Sequence, residues 1–356
     1  MKPRQSLRPH GENMFRFLTK TKTVKAVIND RAITVEPAET LLQAALRHGI
    51  DFPHSCRVGG CATCKCKLVD GRVKELTQTG YILSDDDLDQ GFILACQSIP
   101  QTDVTIAVDT SRQAARRTID GRVIGQDRLT HDIVRLRVQL DESLPYKAGQ
   151  YALLSIASLP GEARHYSFAT SVRPNAQVNF LVRKVPGGVF SGHVHAHDLV
   201  GHAVSVEGPL GDFWMRSAEA PLILIAGGSG LAPILAMLED GVAARTMRAV
   251  TLLFGARAQH DLYALDTIHD LAARWRGRFD FQPILSDEPA DSSWRGSRGM
   301  VTDAIAADLP EETHAYLCGP PRMIDAATDV LVARGLSRSR IHADRFTTQH
   351  DMQAAA

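Results

Sequence analysis

The stretch SCRVGGCATCKCKLVDG, residues 55 to 71, places four of the chain's six cysteines within eleven positions. Cys56, Cys61 and Cys64 read C-x4-C-x2-C, and Cys96 follows after 31 intervening residues, in GFILACQS. Three close thiolates and one distant one is the ligand spacing of a plant-type 2Fe–2S cluster. Two irons need four thiolates converging from a short loop. That loop has to fold tightly so that backbone N–H groups can point at the sulfurs. Gly59 and Gly60 fall inside the first gap, where a side chain would crowd the approach. A structural zinc site would bring a second C-x2-C knuckle or added histidines, and the second knuckle is missing. Paired disulfides would need an oxidising compartment. Cys66, two residues after Cys64, reads as a packing residue on the emerging strand KCKLVDG.

Around these thiols the pattern is that of a small β-grasp domain. VKAVINDRAITVEP reads as a hairpin turning at Asn29-Asp30, and ETLLQAALRHG as an amphipathic helix with a glycine stop. The acidic run from Ser84 to Gly91 reads as a capped turn on a solvated face. At 356 residues the chain is too long for one small core. Lys+Arg 40 against Asp+Glu 40 leaves no net charge, which argues against a nucleic-acid binder working by bulk charge. No run reaches the roughly 18 apolar residues of a membrane span, so no membrane insertion is expected. The basic N-terminus lacks an apolar signal core, which makes the cytoplasm the expected compartment.

After the polar stretch at 108–118 come short alternating strands, GRVIGQDRLT, DIVRLRVQL, GQYALLSIA, QVNFLVRKV and AVSVEGP, the pattern of an antiparallel barrel. Two clusters on it carry chemistry. RHYSFAT supplies Arg164, which can neutralise a phosphate, Tyr166, which can stack on a flat ring, and the Ser167 hydroxyl. VPGGVFSGHVHAHDL sets Gly187 and Gly188 before a helix start near Ser191, an anion site suited to a pyrophosphate. The histidines 193, 195, 197 and 202 are dense, but no carboxylate or thiol completes a metal set at useful spacing, and a solvated helix is the reading. From Ala220, APLILIAGGSGLAPILAMLED reads as buried strand, glycine turn and helix, a nucleotide-binding unit with Gly228 and Gly230 in the turn. Pro233 stands where a third glycine is usual, a position a first helical turn tolerates. AVTLLFGAR, FDFQPILSD and HAYLCGPP continue a doubly wound parallel sheet.

Taken in order, these motifs resemble the reductase components of multicomponent bacterial oxygenases, in which a ferredoxin-like domain precedes the flavin and pyridine-nucleotide domains of the ferredoxin–NADP reductase superfamily. The resemblance implies cluster ligands Cys56, Cys61, Cys64 and Cys96. It implies that Arg164, Tyr166 and Ser167 hold the flavin, and that Gly187, Gly188 and Ser191 hold its diphosphate, favouring FAD. GGSGLAP, FGARAQHDLY and LCGPPRMID match the nucleotide domain, with Gly228, Gly230, Pro233, Arg257, Gly319 and Pro320 about the nucleotide. Cys318 is then expected beside the nicotinamide near Ser167, and Asp344 and Phe346 against the flavin. No basic cluster clamps a 2′-phosphate, so NADH is expected rather than NADPH. The implied domains are a tail at 1–22, the ferredoxin domain at 23–109, a linker at 110–117, the flavin barrel at 118–217, the nucleotide domain at 218–346 and a tail at 347–356. The implied activity is hydride uptake from NADH onto FAD and single-electron delivery through the cluster to a terminal oxygenase or hydroxylase, a Rieske dioxygenase or di-iron monooxygenase in aromatic or hydrocarbon catabolism. The alternatives are a reductase of deoxysugar biosynthesis and a non-catalytic 2Fe–2S carrier or redox sensor. Arg57, Lys65 and Lys67 flank the thiol loop as candidate steering charges for the partner.

Overall fold

The computed structural model describes residues 23–54, 57, 59, 63–77, 79, 83, 85–109 and 117–346. Cys56, Cys61, Gly60, both tails and linker residues 110–116 lie outside them.

The first module grips one helix with a mixed sheet. Strands β1 (Val24–Ile28) and β2 (Arg31–Val35) form the expected hairpin, pairing Ile28 with Arg31 across Asn29-Asp30. Asn29 takes φ +51°, a left-handed value asparagine tolerates, and its side chain exchanges two hydrogen bonds with the Val108 backbone. Helix α1 (Leu41–Arg47) starts on a Thr40/Gln43 capping box and buries Leu41, Leu42, Ala44 and Ala45. Beyond it lie β3 (Lys65–Asp70), β4 (Val73–Glu75), α2 (Asp85–Asp89), β5 (Phe92–Leu94), β6 (Ser98–Pro100) and β7 (Val104–Ala107). The sheet order is β2-β1-β7-β3-β5, with β1 and β7 parallel, and β4 pairs β6 separately. The acidic run forms α2, and its Asp87 pairs with Lys65 at 2.9 Å, so one expected steering charge is already neutralised.

The second module is a six-stranded antiparallel barrel. Its strands are β8 (Arg117–Arg128), β9 (Ile133–Leu140), β10 (Tyr151–Ile156), β11 (Ala163–Ser167), β12 (Gln177–Arg183) and β13 (Ala203–Leu210). The order β11-β10-β13-β8-β9-β12 closes through a bridge between Phe168 and Phe180, which covers both sheet edges. Strand β8 begins at Arg117, the last residue of the expected linker. Helix α3 (Val189–Ala196) caps the barrel with Phe190 and Val194 in its core. It starts two residues before Ser191, because Gly188 takes the extended N-cap conformation itself.

The third module alternates β14 (Leu222–Gly227), α4 (Leu231–Ala243), β15 (Val250–Ala256), α5 (Leu265–Arg274), β16 (Phe279–Leu285), β17 (Ser297–Arg298), β18 (His314–Gly319), α6 (Pro321–Ala333) and β19 (Ile341–Arg345). All pairs are parallel, in the order β17-β16-β15-β14-β18-β19. Strand β14 is buried on both faces: Leu222, Leu224 and Ala226 pack with α4, while Ile223 and Ile225 pack with α6. The barrel and this module share a core in which Ile133, Leu181 and Phe213 meet Leu231, Leu235 and Tyr316. Glu239 of α4 fastens the seam, accepting from the Ser171 N–H at 3.0 Å and pairing with Arg173 at 3.3 Å.

Candidate functional site

Between Cys64 at the foot of β3 and Cys96 after β5, the fold brings two distant thiols together. The Cys96 N–H donates to Cys64 Sγ at 3.5 Å, and the Gln97 amide donates to Cys96 Sγ at 3.7 Å. N–H groups aimed at buried sulfurs are what a thiolate cluster requires, so these residues fit one. No disulfide joins Cys64, Cys66, Cys96 or Cys318. Gly59 has φ +79°, and a Cβ there would meet the Gln97 side chain at 2.8 Å, so the loop does need glycine. Cys66 is enclosed in the core, and burial followed by the neighbouring Cys96 pushes its thiol pKa upward. Lys67 remains exposed, whereas Arg57 lies 3.1 Å from His54 Nε2.

On the barrel, Arg164, Tyr166 and Ser167 lie along β11. Arg164 pairs with Glu162 at 2.7 Å, Tyr166 tilts against Phe190 at 5.5 Å, and Ser167 is buried at the strand end. Gly187 has φ +71° and open space where its Cβ would lie. The α3 N-terminus has no side-chain cap, leaving its first-turn amides for another acceptor. Ser191 turns back instead, its hydroxyl accepting from the Val185 N–H at 3.0 Å. An uncapped helix start behind an open glycine cradle fits a diphosphate. The histidines nearby are engaged with the protein. His193 Nε2 lies 3.0 Å from Ser158 Oγ, His195 Nε2 3.0 Å from the Val182 carbonyl, and His197 Nδ1 3.0 Å from the His193 carbonyl.

In the third module the chain reverses its strand order between β14 and β18, the crevice where such sheets bind nucleotides. Its walls are glycines in close contact. A Cβ on Gly230 would lie 2.1 Å from the Cys318 carbonyl, and one on Gly319 3.0 Å from the Gly227 carbonyl. Neither α4 nor α6 carries a side-chain cap. Pro233 sits in the first turn of α4, and Pro320 is the N-cap of α6. Uncapped helix starts behind bare backbone fit a pyrophosphate. Cys318 is wholly buried, and burial, with Asp344 beside it, raises its thiol pKa well above the usual range. Asp344 is buried on β19, and Phe346 packs at the edge of the shared core. An open cleft of about 710 Å³ runs past β15 and β16, lined by Arg257, Gln259, Asp287 and Glu288. Hydrogen bonds from Gln259 hold the Glu288 carboxyl below its usual range.

These three sites coincide with three family models. A 2Fe-2S iron-sulfur cluster binding domain matches residues 26–101, an oxidoreductase FAD-binding domain 120–214 and an oxidoreductase NAD-binding domain 224–329. The xylene/toluene monooxygenase electron transfer component of Pseudomonas putida is 44% identical over 315 residues, 88% of this chain and 90% of that protein. The chain belongs to the reductase components of multicomponent oxygenases. The phenol 2-monooxygenase reductase component of Pseudomonas sp. (strain CF600) is 38% identical, over 90% of this chain and 92% of that one. The solved Amycolatopsis cytochrome P450 reductase superposes with a TM-score of 0.69 at 34% identity, covering 92% of this chain and 99% of that one. The reductase accordingly carries a 2Fe–2S domain, an FAD domain and an NAD domain. No helix of the described residues is long and apolar enough to cross a membrane.

Sequence reading of this reductase missed the residues that join the two cofactor cradles. Arg183, at the end of β12, pairs with Asp132 at 3.0 Å, and its guanidinium lies 3.2 Å from where a Gly228 Cβ would stand. Burial opposes the Asp132 charge, but Arg183 and the Thr130 hydroxyl outweigh it and hold the carboxyl below its usual range. Tyr263 donates from its hydroxyl to the Gly228 carbonyl at 2.8 Å, fixing the turn. No local motif marks these residues, because they come from three segments.

Proposed function

We propose that this reductase takes hydride from NADH in the crevice between barrel and nucleotide module and delivers single electrons, through its thiol loop, to a monooxygenase acting on an aromatic hydrocarbon. The observation that supports the reading is the approach of Arg183, four residues before Gly187 of the barrel's cradle, to the nucleotide module's turn: its guanidinium lies 3.2 Å from where a Gly228 Cβ would stand. When bound, a flavin accepts a hydride and releases electrons singly, and a 2Fe–2S cluster carries one electron at a time.

The chain's part is to bind, orient and exclude water. Cys56, Cys61, Cys64 and Cys96 are the proposed iron ligands, with the Cys96 and Gln97 donors tuning the sulfurs. Arg164, Tyr166 and Ser167 hold the flavin. Gly187 and Gly188 open the α3 amides to its diphosphate, with Ser191 bracing the loop. Gly228, Gly230, Gly319 and Pro320 bare the backbone to the nucleotide, and Pro233 presets the α4 start. Cys318 packs in the core behind the proposed nicotinamide site, with Phe346 at the edge of the same core. Arg257 offers one positive charge to the nucleotide, while Asp287 and Glu288 line the same cleft. Two carboxylates there would repel a 2′-phosphate, which supports NADH over NADPH. The xylene/toluene and phenol monooxygenase systems that the two relatives serve support a monooxygenase partner for an aromatic substrate. A cytoplasmic location is proposed as well, since cluster thiols need a reducing compartment.

Anaerobic titration of the purified protein with NADH, followed in the visible spectrum, tests the reading. Flavin and iron–sulfur bands that bleach together support it. A flavin that bleaches while the cluster band stays oxidised would break the proposed route.

A further inference from the structure

At the module junction, on the wall of the cleft that Arg257 and Glu288 also line, three side chains from two modules converge. His131 lies on the turn between β8 and β9 of the barrel, and His260 and Asp261 on the turn after β15. His131 Nδ1 stands 3.6 Å and His260 Nε2 3.7 Å from the same oxygen, Asp261 Oδ1. The two imidazole centroids are 5.2 Å apart, inclined at 62°, and one ligand atom from each of the three residues falls within 4.8 Å of the others. A tetrahedral zinc ion with bonds of about 2.0–2.1 Å sets its ligands about 3.3–3.5 Å apart. Two of the three separations are therefore nearly at that value. A small rotation of the exposed rings closes the third.

The carboxylate is prepared for such a role. Asp261 Oδ2 accepts the Ala258 N–H at 3.1 Å and has Arg257 Nε at 3.6 Å, which fixes the plane of the group. Its Oδ1 is enclosed and has no hydrogen-bond donor. A sequestered carboxylate oxygen without a donor is costly unless a cation fills the space before it. Here that space is faced by two imidazole nitrogens. His131 and His260 are 52% and 70% exposed, so an ion can enter and water can supply the fourth ligand.

We propose that His131, His260 and Asp261 form a binding site for a zinc-class divalent cation that ties the barrel to the nucleotide module. Two imidazoles and one carboxylate suit Zn²⁺, whereas Mg²⁺ and Ca²⁺ demand oxygen ligands. Asp132, next to His131, holds Arg183 against the Gly228 turn, so an ion at this site restrains the junction that carries the cofactor crevice. The site lines the cleft proposed above for the nucleotide, so the binding is read in the absence of NADH.

Isothermal titration of the holoprotein with ZnCl₂ tests the site, using wild type, His131→Ala, His260→Ala and the milder His260→Gln. Flavin and iron–sulfur absorbance reports that each variant is folded and loaded. The wild type is expected to bind one zinc ion that every variant binds at least about tenfold more weakly, since losing even an outer-shell partner of a ligand costs about tenfold or more. Loss from substitutions on both modules establishes the bridge. Binding unchanged in folded His131→Ala, or no wild-type site beyond those shared by all variants, overturns the proposal.

Discussion

Cys64 and Cys96 show how single residues act in this molecule. They are 32 positions apart, yet the backbone of one donates to the sulfur of the other. Cys96→Ser removes a proposed ligand at the centre of that contact. Its iron–sulfur absorbance and NADH-dependent cytochrome c reduction are expected to vanish. NADH-dependent ferricyanide reduction, which needs only the flavin, should stay within about twofold because the proposed flavin residues share no partner with Cys96 and lie on another module. Loss of both activities would mean that the modules do not work separately. His342 carries a pH dependence. Burial, then the nearby Arg216, His314 and Arg248, pushes its pKa from 6.5 down to about 3. The folded ring therefore stays neutral while the unfolded one takes a proton. The stability it supports is complete above pH 6.5 and drains away as pH falls from there toward 3, by up to about 1.4 kcal/mol per unit. The melting temperature of His342→Gln is expected to fall less steeply than that of wild type between pH 7 and 5. Parallel profiles would contradict this origin.

At the scale of elements, close backbone contact does what side chains cannot. Helix α4 approaches the end of β18 so tightly that Gly230 has no room for a methyl group, 2.1 Å from the Cys318 carbonyl. Gly230→Ala has to push the helix off the strand. It should destabilise the third module by about 1–3 kcal/mol and raise KM for NADH, read by thermal melting and steady-state kinetics. A variant with wild-type KM would show that the crevice does not take the nucleotide there. Helix α1 and the Asn29 hairpin were legible from local residues alone. Helix α6, whose buried Ile324, Ala327 and Leu331 recur at helical spacing, went unread in the sequence, and strand β19 was not legible because IHADRF is short and draws its order from pairing with β18.

Across the whole molecule, the barrel and nucleotide module work as one body because they share a core and a polar clasp at Glu239. Glu239→Ala leaves the Ser171 N–H and Arg173 without their acceptor, at a cost of about 1–3 kcal/mol. The flavin should remain bound, since no proposed flavin residue is touched, while its reduction by NADH slows in stopped-flow measurements. An unchanged rate would mean that the clasp does not set the alignment of the crevice.

The amino-acid sequence by itself determined the order of the three modules, the thiol spacing, the R-x-Y-S strand and the glycine turns. Each of these is a short-range requirement: ligands on one loop, a flat ring two positions from a charge, backbone left bare for a phosphate. Only the tertiary structure decided what joins them. Asp132, Arg183 and Gly228 come from separate segments, as do His131 and Asp261, and Lys65 is claimed by an aspartate 22 positions away. Such contacts form when closed barrel and twisted sheet bring distant chain ends together, and no local spacing encodes that meeting.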